Sequence, residues 1–181
     1  MATDTAVQHN IATGDIQLNP AQQKVVKDFR SSFKFKLFTL AKLPLGFISG
    51  MRIKYLDAHR CEATIPYGWI TRNPFKSTYF AALSMAAELS NGSLALLATY
   101  GQDPSVAVII TGVQAEFLKK ATDLVTFTCE DGDLLFQAVE RAKETGEGVE
   151  QEVIAIGTMP DGTEVARFKF TWSFKARSKK A

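Results

Sequence analysis

Two cysteines and two histidines are all that this 181-residue chain offers to thiolate or imidazole chemistry. Cys61 and Cys129 stand far apart, with no CxxC and no metal-ligand spacing, so no metal site is expected and the thiols read as structural ones in a reducing compartment. His9 lies in a polar leader and His59 in a turn, so an acid–base pair built on histidine lacks a candidate. No GxSxG is present, and the glycines form no phosphate-cradling loop. A net charge of +2 is too weak to argue for nucleic acid. The opening MATDTAVQHNIATGD has no apolar signal core, so export is not expected and the cytoplasm is the expected location.

Charge is also missing from one long stretch. STYFAALSMAAELSNGSLALLATY, from Ser77 to Tyr100, carries a single charged residue, Glu88. The run is long enough to cross a bilayer. Its polar side and central acid argue instead for a buried helix of a folded domain, with no membrane span.

The rest of the chain supplies partners for that helix. Residues 1–18 read as a loose tail, 19–176 as one domain, and 177–181 as a basic tail. Asn19-Pro20-Ala21-Gln22 reads as a helix start of the capping-box kind. Val26, Phe29, Phe33, Leu37 and Leu40 follow at helical spacing, with lysines and an arginine between them. Such a helix can lie on a membrane; docking on the core with a solvated basic face is the preferred expectation.

Short strands are expected at 52–56 and 61–65, then at 106–117, 124–129, 149–156 and 164–174, with a helix over 134–145 capped by Asp133. Ala166, Phe168, Phe170, Trp172 and Phe174 alternate with polar residues, and Pro160-Asp161-Gly162 marks a hairpin. Tight turns favour an antiparallel sheet. A helix apolar nearly all round must be covered on most sides, so the expected fold is α+β, a curved sheet wrapped around the long helix, with an extra N-terminal helix.

At 100° per residue, Ser77, Ala81, Ser84, Glu88, Asn91, Gly92, Ala95 and Thr99 fall within about 60° of one direction. Small residues beside an acid leave room for a ligand. Burial raises a carboxyl pKa, and such acids are often functional; a structural acid, pairing across a dimer interface, is the open alternative. The free N–H groups at the helix start are suited to holding a carbonyl oxygen as it gains charge.

The stretch N-x5-YFAALSMAAE, Asn73 to Glu88, resembles the N-x5-HGG-x6-[DE] pattern of hotdog-fold acyl-CoA thioesterases of the phenylacetate-thioesterase type. RNPFKSTYFAALSMAAELSNG is similar to an uncharacterised bacterial branch of that superfamily. The resemblance implies a hotdog fold and hydrolysis of an acyl-CoA or acyl-carrier thioester. It implies Glu88 as general base or nucleophile, the Ala81 N–H as oxyanion donor and Asn73 as positioning group. It implies a homodimer or dimer of dimers, and no cofactor beyond the coenzyme A of the substrate.

Tyr79, Phe80 and Ala81 stand where the family has His-Gly-Gly. That departure motivates an alternative, an acyl-CoA-binding or sensing protein without catalysis. Tyr79, Phe80 and Ser84 are the candidate substrate contacts on the helix. Thr111 matches a family Ser or Thr on the next strand. Lys119 and Lys120 are candidates for coenzyme A phosphates, with a solvated surface pair as the other reading.

Overall fold

A computed structural model describes residues 16–177. The tails expected at 1–18 and 177–181 therefore lie almost wholly outside the described residues. Helix α1 (Pro20–Arg30) begins as the capping box requires: Asn19 Oδ1 accepts from Gln22 N and Gln22 Oε1 accepts from Asn19 N, both at 2.9 Å.

The N-terminal helix does not continue to Leu40. It breaks at Ser31, whose backbone is extended, and α2 (Ser32–Lys42) follows. Two adjacent serines have low helix propensity, and the bend lets Phe29 and Phe35 meet edge-to-face at 5.4 Å. In one straight helix these rings would point about 120° apart. The break also corrects the docking expectation. Helix α1 buries Val25 and Phe29, and α2 buries Phe35 and Thr39, but Phe33, Leu37 and Leu40 face outward. A third short helix, α3 (Pro44–Ile48), forms within the expected link, with Pro44 in its first turn.

Six antiparallel strands follow the expected order: β1 (Arg52–Leu56), β2 (Cys61–Ile65), β3 (Val106–Phe117), β4 (Val125–Cys129), β5 (Val149–Thr158) and β6 (Glu164–Ala176). They lie side by side as β1-β2-β4-β5-β6-β3. The long helix α4 (Phe80–Thr99) packs against β2, β4, β5 and β6. It starts three residues later than expected because Ser77 and Thr78 are tied to the preceding loop and to Ala121 O. It is long and apolar enough to cross a membrane by length and composition, but twelve of its twenty residues are buried in the fold.

Helix α5 (Gly132–Thr145) covers the far part of α4. Its cap is Asp131, not Asp133; Asp131 Oδ2 accepts from Ile154 N at 2.7 Å, while Asp133 meets His59 Nδ1 at 2.8 Å. The core lies between α4 and the inner face of the sheet, where the alternation of β6 delivers Phe168, Phe170, Trp172 and Phe174.

The two cysteines, distant in sequence, face each other in register on β2 and β4. Both are free and buried, and burial pushes both thiols up, Cys129 to about 12. At such values they remain neutral and inert, in keeping with structural thiols.

Candidate functional site

Loop 66–79 delivers α4 to the sheet, and Asn73 organises the loop's second half. Its Oδ1 accepts from Phe75 N at 2.9 Å and Ser77 N at 3.2 Å, and its Nδ2 donates to Ser77 Oγ at 3.1 Å. These bonds hold Lys76 in a left-handed backbone, φ 59°, that a non-glycine residue seldom adopts. Asn73 is thus first a loop-building residue, with one Nδ2 hydrogen left over.

The loop ends at Tyr79, the N-cap of α4, whose side chain makes no capping bond. Serine, threonine, aspartate or asparagine there would accept from the first-turn N–H groups. With tyrosine in place, no described residue accepts from the N–H groups of Phe80, Ala81 or Ala82; the first helical bond runs from Leu83 N to Tyr79 O. The positive end of a twenty-residue helix is therefore open. Tyr79 and Phe80 stack edge-to-face at 4.9 Å, and Phe80 meets Phe117 of β3 at 6.3 Å.

Beside this terminus is a cleft of about 370 Å³, lined by Asn73, Ser77, Phe80, Phe117, Lys119 and Lys120 among others. It brings four of the sequence-derived candidates together: Asn73, Phe80, Lys119 and Lys120. Lys120 Nζ donates to Phe75 O at 3.3 Å, which fixes one of the two lysines to the loop.

Glu88 does not line this cleft. It sits seven residues beyond Ala81, about 10 Å along the helix axis, and helical side chains lean back towards the N-terminus. Ala81, Ser84, Met85, Glu88, Gly92, Leu96 and Thr99 form the partly open stripe of α4; Phe80 at its start is exposed, and the other twelve residues are buried. The sequence-derived stripe needs correction: Ser77 is buried and precedes the helix. Asn91 and Ala95 are buried, and Met85 and Leu96 take their places on the open side.

Glu88 is largely buried, and among the described residues its carboxylate has no hydrogen-bond or ion-pair partner; desolvation alone raises its pKa from the ordinary 4.5. Its room is made by Gly92. A Cβ there would collide with Glu88 Oε1 and lie 3.5 Å from the ring of Trp172. Trp172 is held in turn by Asn91: the indole N–H donates to Asn91 Oδ1 at 2.8 Å, and Asn91 Nδ2 donates to Ala87 O at 2.7 Å. The sequence reading missed Gly92 as the carboxylate's berth and Trp172 as the ring beside that glycine. Tryptophan on the inner face of β6 was the available signal.

Ser84 lies one turn before Glu88 and returns its hydroxyl to Phe80 O at 2.8 Å. Thr111 is the extra residue of a bulge in β3, exposed, with a weak 3.4 Å contact to Thr171 O. Nothing brings Thr111 into the cleft of Asn73 and the lysines. No group of three or more histidine, cysteine or acidic side chains able to hold a metal ion occurs among the described residues.

Strand β3 borders this region and is an edge of the sheet. One side pairs with β6; the other has no partner strand among the described residues. Val108, Ile109, Val113 and Phe117 are all exposed along it, with no lysine or proline to blunt the edge.

Over residues 33–174 the chain matches the family described as "Domain of unknown function (DUF4442)", and it belongs to that family. Helix α1 precedes the matched span. No curated protein matches the chain. Among solved structures, a Pseudomonas aeruginosa protein of unknown function, described as a "Probable Thioesterase", is 20% identical with a TM-score of 0.69, over 83% of this chain and 99% of that one. A thioesterase family protein from Silicibacter pomeroyi is 18% identical with a TM-score of 0.57, over 86% and 99%. A Haemophilus influenzae thioesterase is 14% identical with a TM-score of 0.53, over 77% and 88%. At these identities the likeness establishes the fold, the hotdog arrangement of a curved antiparallel sheet around a central helix.

Proposed function

We propose that this protein hydrolyses an acyl thioester carried by coenzyme A or an acyl carrier. The observation that carries the reading is Glu88, a largely buried carboxylate with no partner among the described residues, on the open stripe of an apolar helix. The uncapped N–H groups lie up the same helix, and the thioesterase names of the structural neighbours support the reaction class.

In the simplest course, Glu88 acts as the ionised carboxylate. It takes a proton from a water molecule as the water oxygen attacks the thioester carbonyl carbon. The carbonyl π electrons move onto oxygen, and the Ala81 N–H donates to that oxyanion at the positive end of α4. Collapse of the tetrahedral intermediate breaks the C–S bond, and the leaving thiolate takes up the proton. Direct attack by Glu88, giving an anhydride that water then opens, uses the same groups. Asn73 positions the carbonyl or the water with its remaining N–H. Tyr79, Phe80 and Ser84 shape the approach. Lys119 and Lys120 meet the phosphates of coenzyme A. No cofactor is required.

A second copy of the chain completes the site, with β3 of each copy paired along the bare edge and the open stripe of α4 covered at the junction. Two such dimers joined to each other keep the same site.

A second reading has its own support. Tyr79 and Phe80 put two rings where the family pattern has His and Gly, and both are about half exposed. A protein that binds acyl-CoA without cleaving it accommodates those rings more readily.

The deciding experiment follows free thiol release from short-, medium- and long-chain acyl-CoAs and from acylated carrier protein, with Glu88→Gln alongside. Release by the wild type and not by the variant is expected. Saturable acyl-CoA binding with no release from any substrate would establish the second reading instead.

A further inference from the structure

The outward face of α2 carries an inference independent of the thioester reading. Phe33, Leu37 and Leu40 are 72%, 52% and 54% exposed, although the opposite face of the same helix buries Phe35 and packs Phe38 on the core. Helix α3 continues the surface with Leu45 and Ile48, 69% and 58% exposed. Isolated exposed leucines need no explanation, but five large apolar side chains on consecutive short helices make a patch.

The patch has a charge border. With Phe33 taken as zero, Leu37 lies at about +40° and Leu40 at about −20° around the helix. Lys36 then lies at about −60° and Lys34 at about +100°, one on each flank of the apolar strip. Lys42, nine residues on and so about 180° round, lies off the strip, and both flanking lysines, Lys34 and Lys36, are exposed. The one acid from Pro20 to Ile48 is Asp28, which pairs with Lys34.

We infer that this face of α2 and α3 docks in the plane of an anionic lipid surface. The apolar strip would enter the boundary between headgroups and acyl chains, and the flanking lysines would reach up to lipid phosphates along their own aliphatic stems. Charge complementarity selects this occupant. A two-fold contact with a second copy would set the same lysine border against itself, with only the already paired Asp28 to offset it. A mostly apolar cleft of about 490 Å³ among α1, α2 and α4, lined by Phe29, Leu37, Leu96 and Tyr100, opens beside the same face.

The test is flotation of the full chain with phosphatidylcholine vesicles, with and without phosphatidylglycerol. Wild type should float with the phosphatidylglycerol vesicles, and less as salt rises. Phe33→Asp with Leu40→Asp should abolish flotation. Lys34→Glu with Lys36→Glu should weaken it by about tenfold or more while leaving the apolar strip intact. Circular dichroism checks that each variant folds, and the lysine pair carries the test if the aspartates disturb α2. A wild type that stays with neither vesicle, or variants that float as well as wild type, would overturn the inference. So would variants that lower the solution mass while wild type ignores vesicles, since the face would then be a protein interface.

Discussion

The two sides of α4 differ in what they are made of and in what covers them. The covered side is built of small and aliphatic side chains, Ala82, Ala86, Ala87, Ala95 and Ala98 with Leu83, Leu94 and Leu97, all in the core. The open side mixes small and polar residues with Met85 and Leu96, and it holds the helix's one charge and a glycine beside that carboxylate. Asn91 works between the two. It is fully buried, yet its amide fixes Trp172, whose ring lies beside Gly92. One helix therefore separates its duties by face. The covered side supplies packing, and the open side keeps an acid under conditions that stability alone would not favour.

The contrast is broken most severely on the covered side. Leu94 is wholly buried. Leu94→Ala should destabilise the fold by about 2–5 kcal/mol, read from urea denaturation, through lost contacts and the cavity left behind. An unchanged midpoint would mean that α4 is not the packed centre of the fold.

The next largest effect lies at the margin of the open side. Val113 pairs with the buried Phe170 and so shares the sheet's inner face, yet it is 53% exposed. Val113→Asp should reduce the mass measured by light scattering from two chains, or a pair of dimers, to one. A wild type that already runs as a single chain would contradict the shared site.

The smallest effect sharpens the contrast at Glu88 itself. Burial raises its folded-state pKa above the ordinary 4.5, so the folded chain holds that proton more tightly than the unfolded chain does. The stability associated with the protonated carboxyl is fully present below about 4.5 and is lost as pH rises through the raised value. At pH 7 Glu88→Gln should melt a few degrees above wild type, and the gap should close below pH 4.5. A variant that melts below wild type at neutral pH would identify Glu88 as a partnered structural acid.

Much of this arrangement was legible in residue order. The alternation of β6, the glycine-bearing hairpin at Gly162 and the capping box at Asn19 are local signals, and each forms as it reads. The isolated acid drew attention to Glu88 for a reason that survives folding, because burial of a carboxylate is costly wherever it occurs. The break at Ser31 was hidden: Phe29, Phe33, Leu37 and Leu40 keep helical phase across it, so periodicity continues where the backbone does not. Which apolar face of α2 is covered depends on α1 and β1, and no pattern within α2 distinguishes Phe35 from Phe33. The pairing of Cys61 with Cys129 and of Asn91 with Trp172 are likewise consequences of strand register and helix rotation, quantities set by the whole fold.

The most direct test of the central claim is the pH profile of kcat/KM for the best acyl thioester, measured for wild type and Glu88→Gln. The account predicts a wild-type rate that rises out of acid with an apparent pKa above 4.5, and a variant slower by about 10²–10⁴-fold throughout, with its fold and assembly unchanged. A variant that keeps the wild-type rate and profile would contradict it, and would leave Glu88 as a buried acid with no part in turnover.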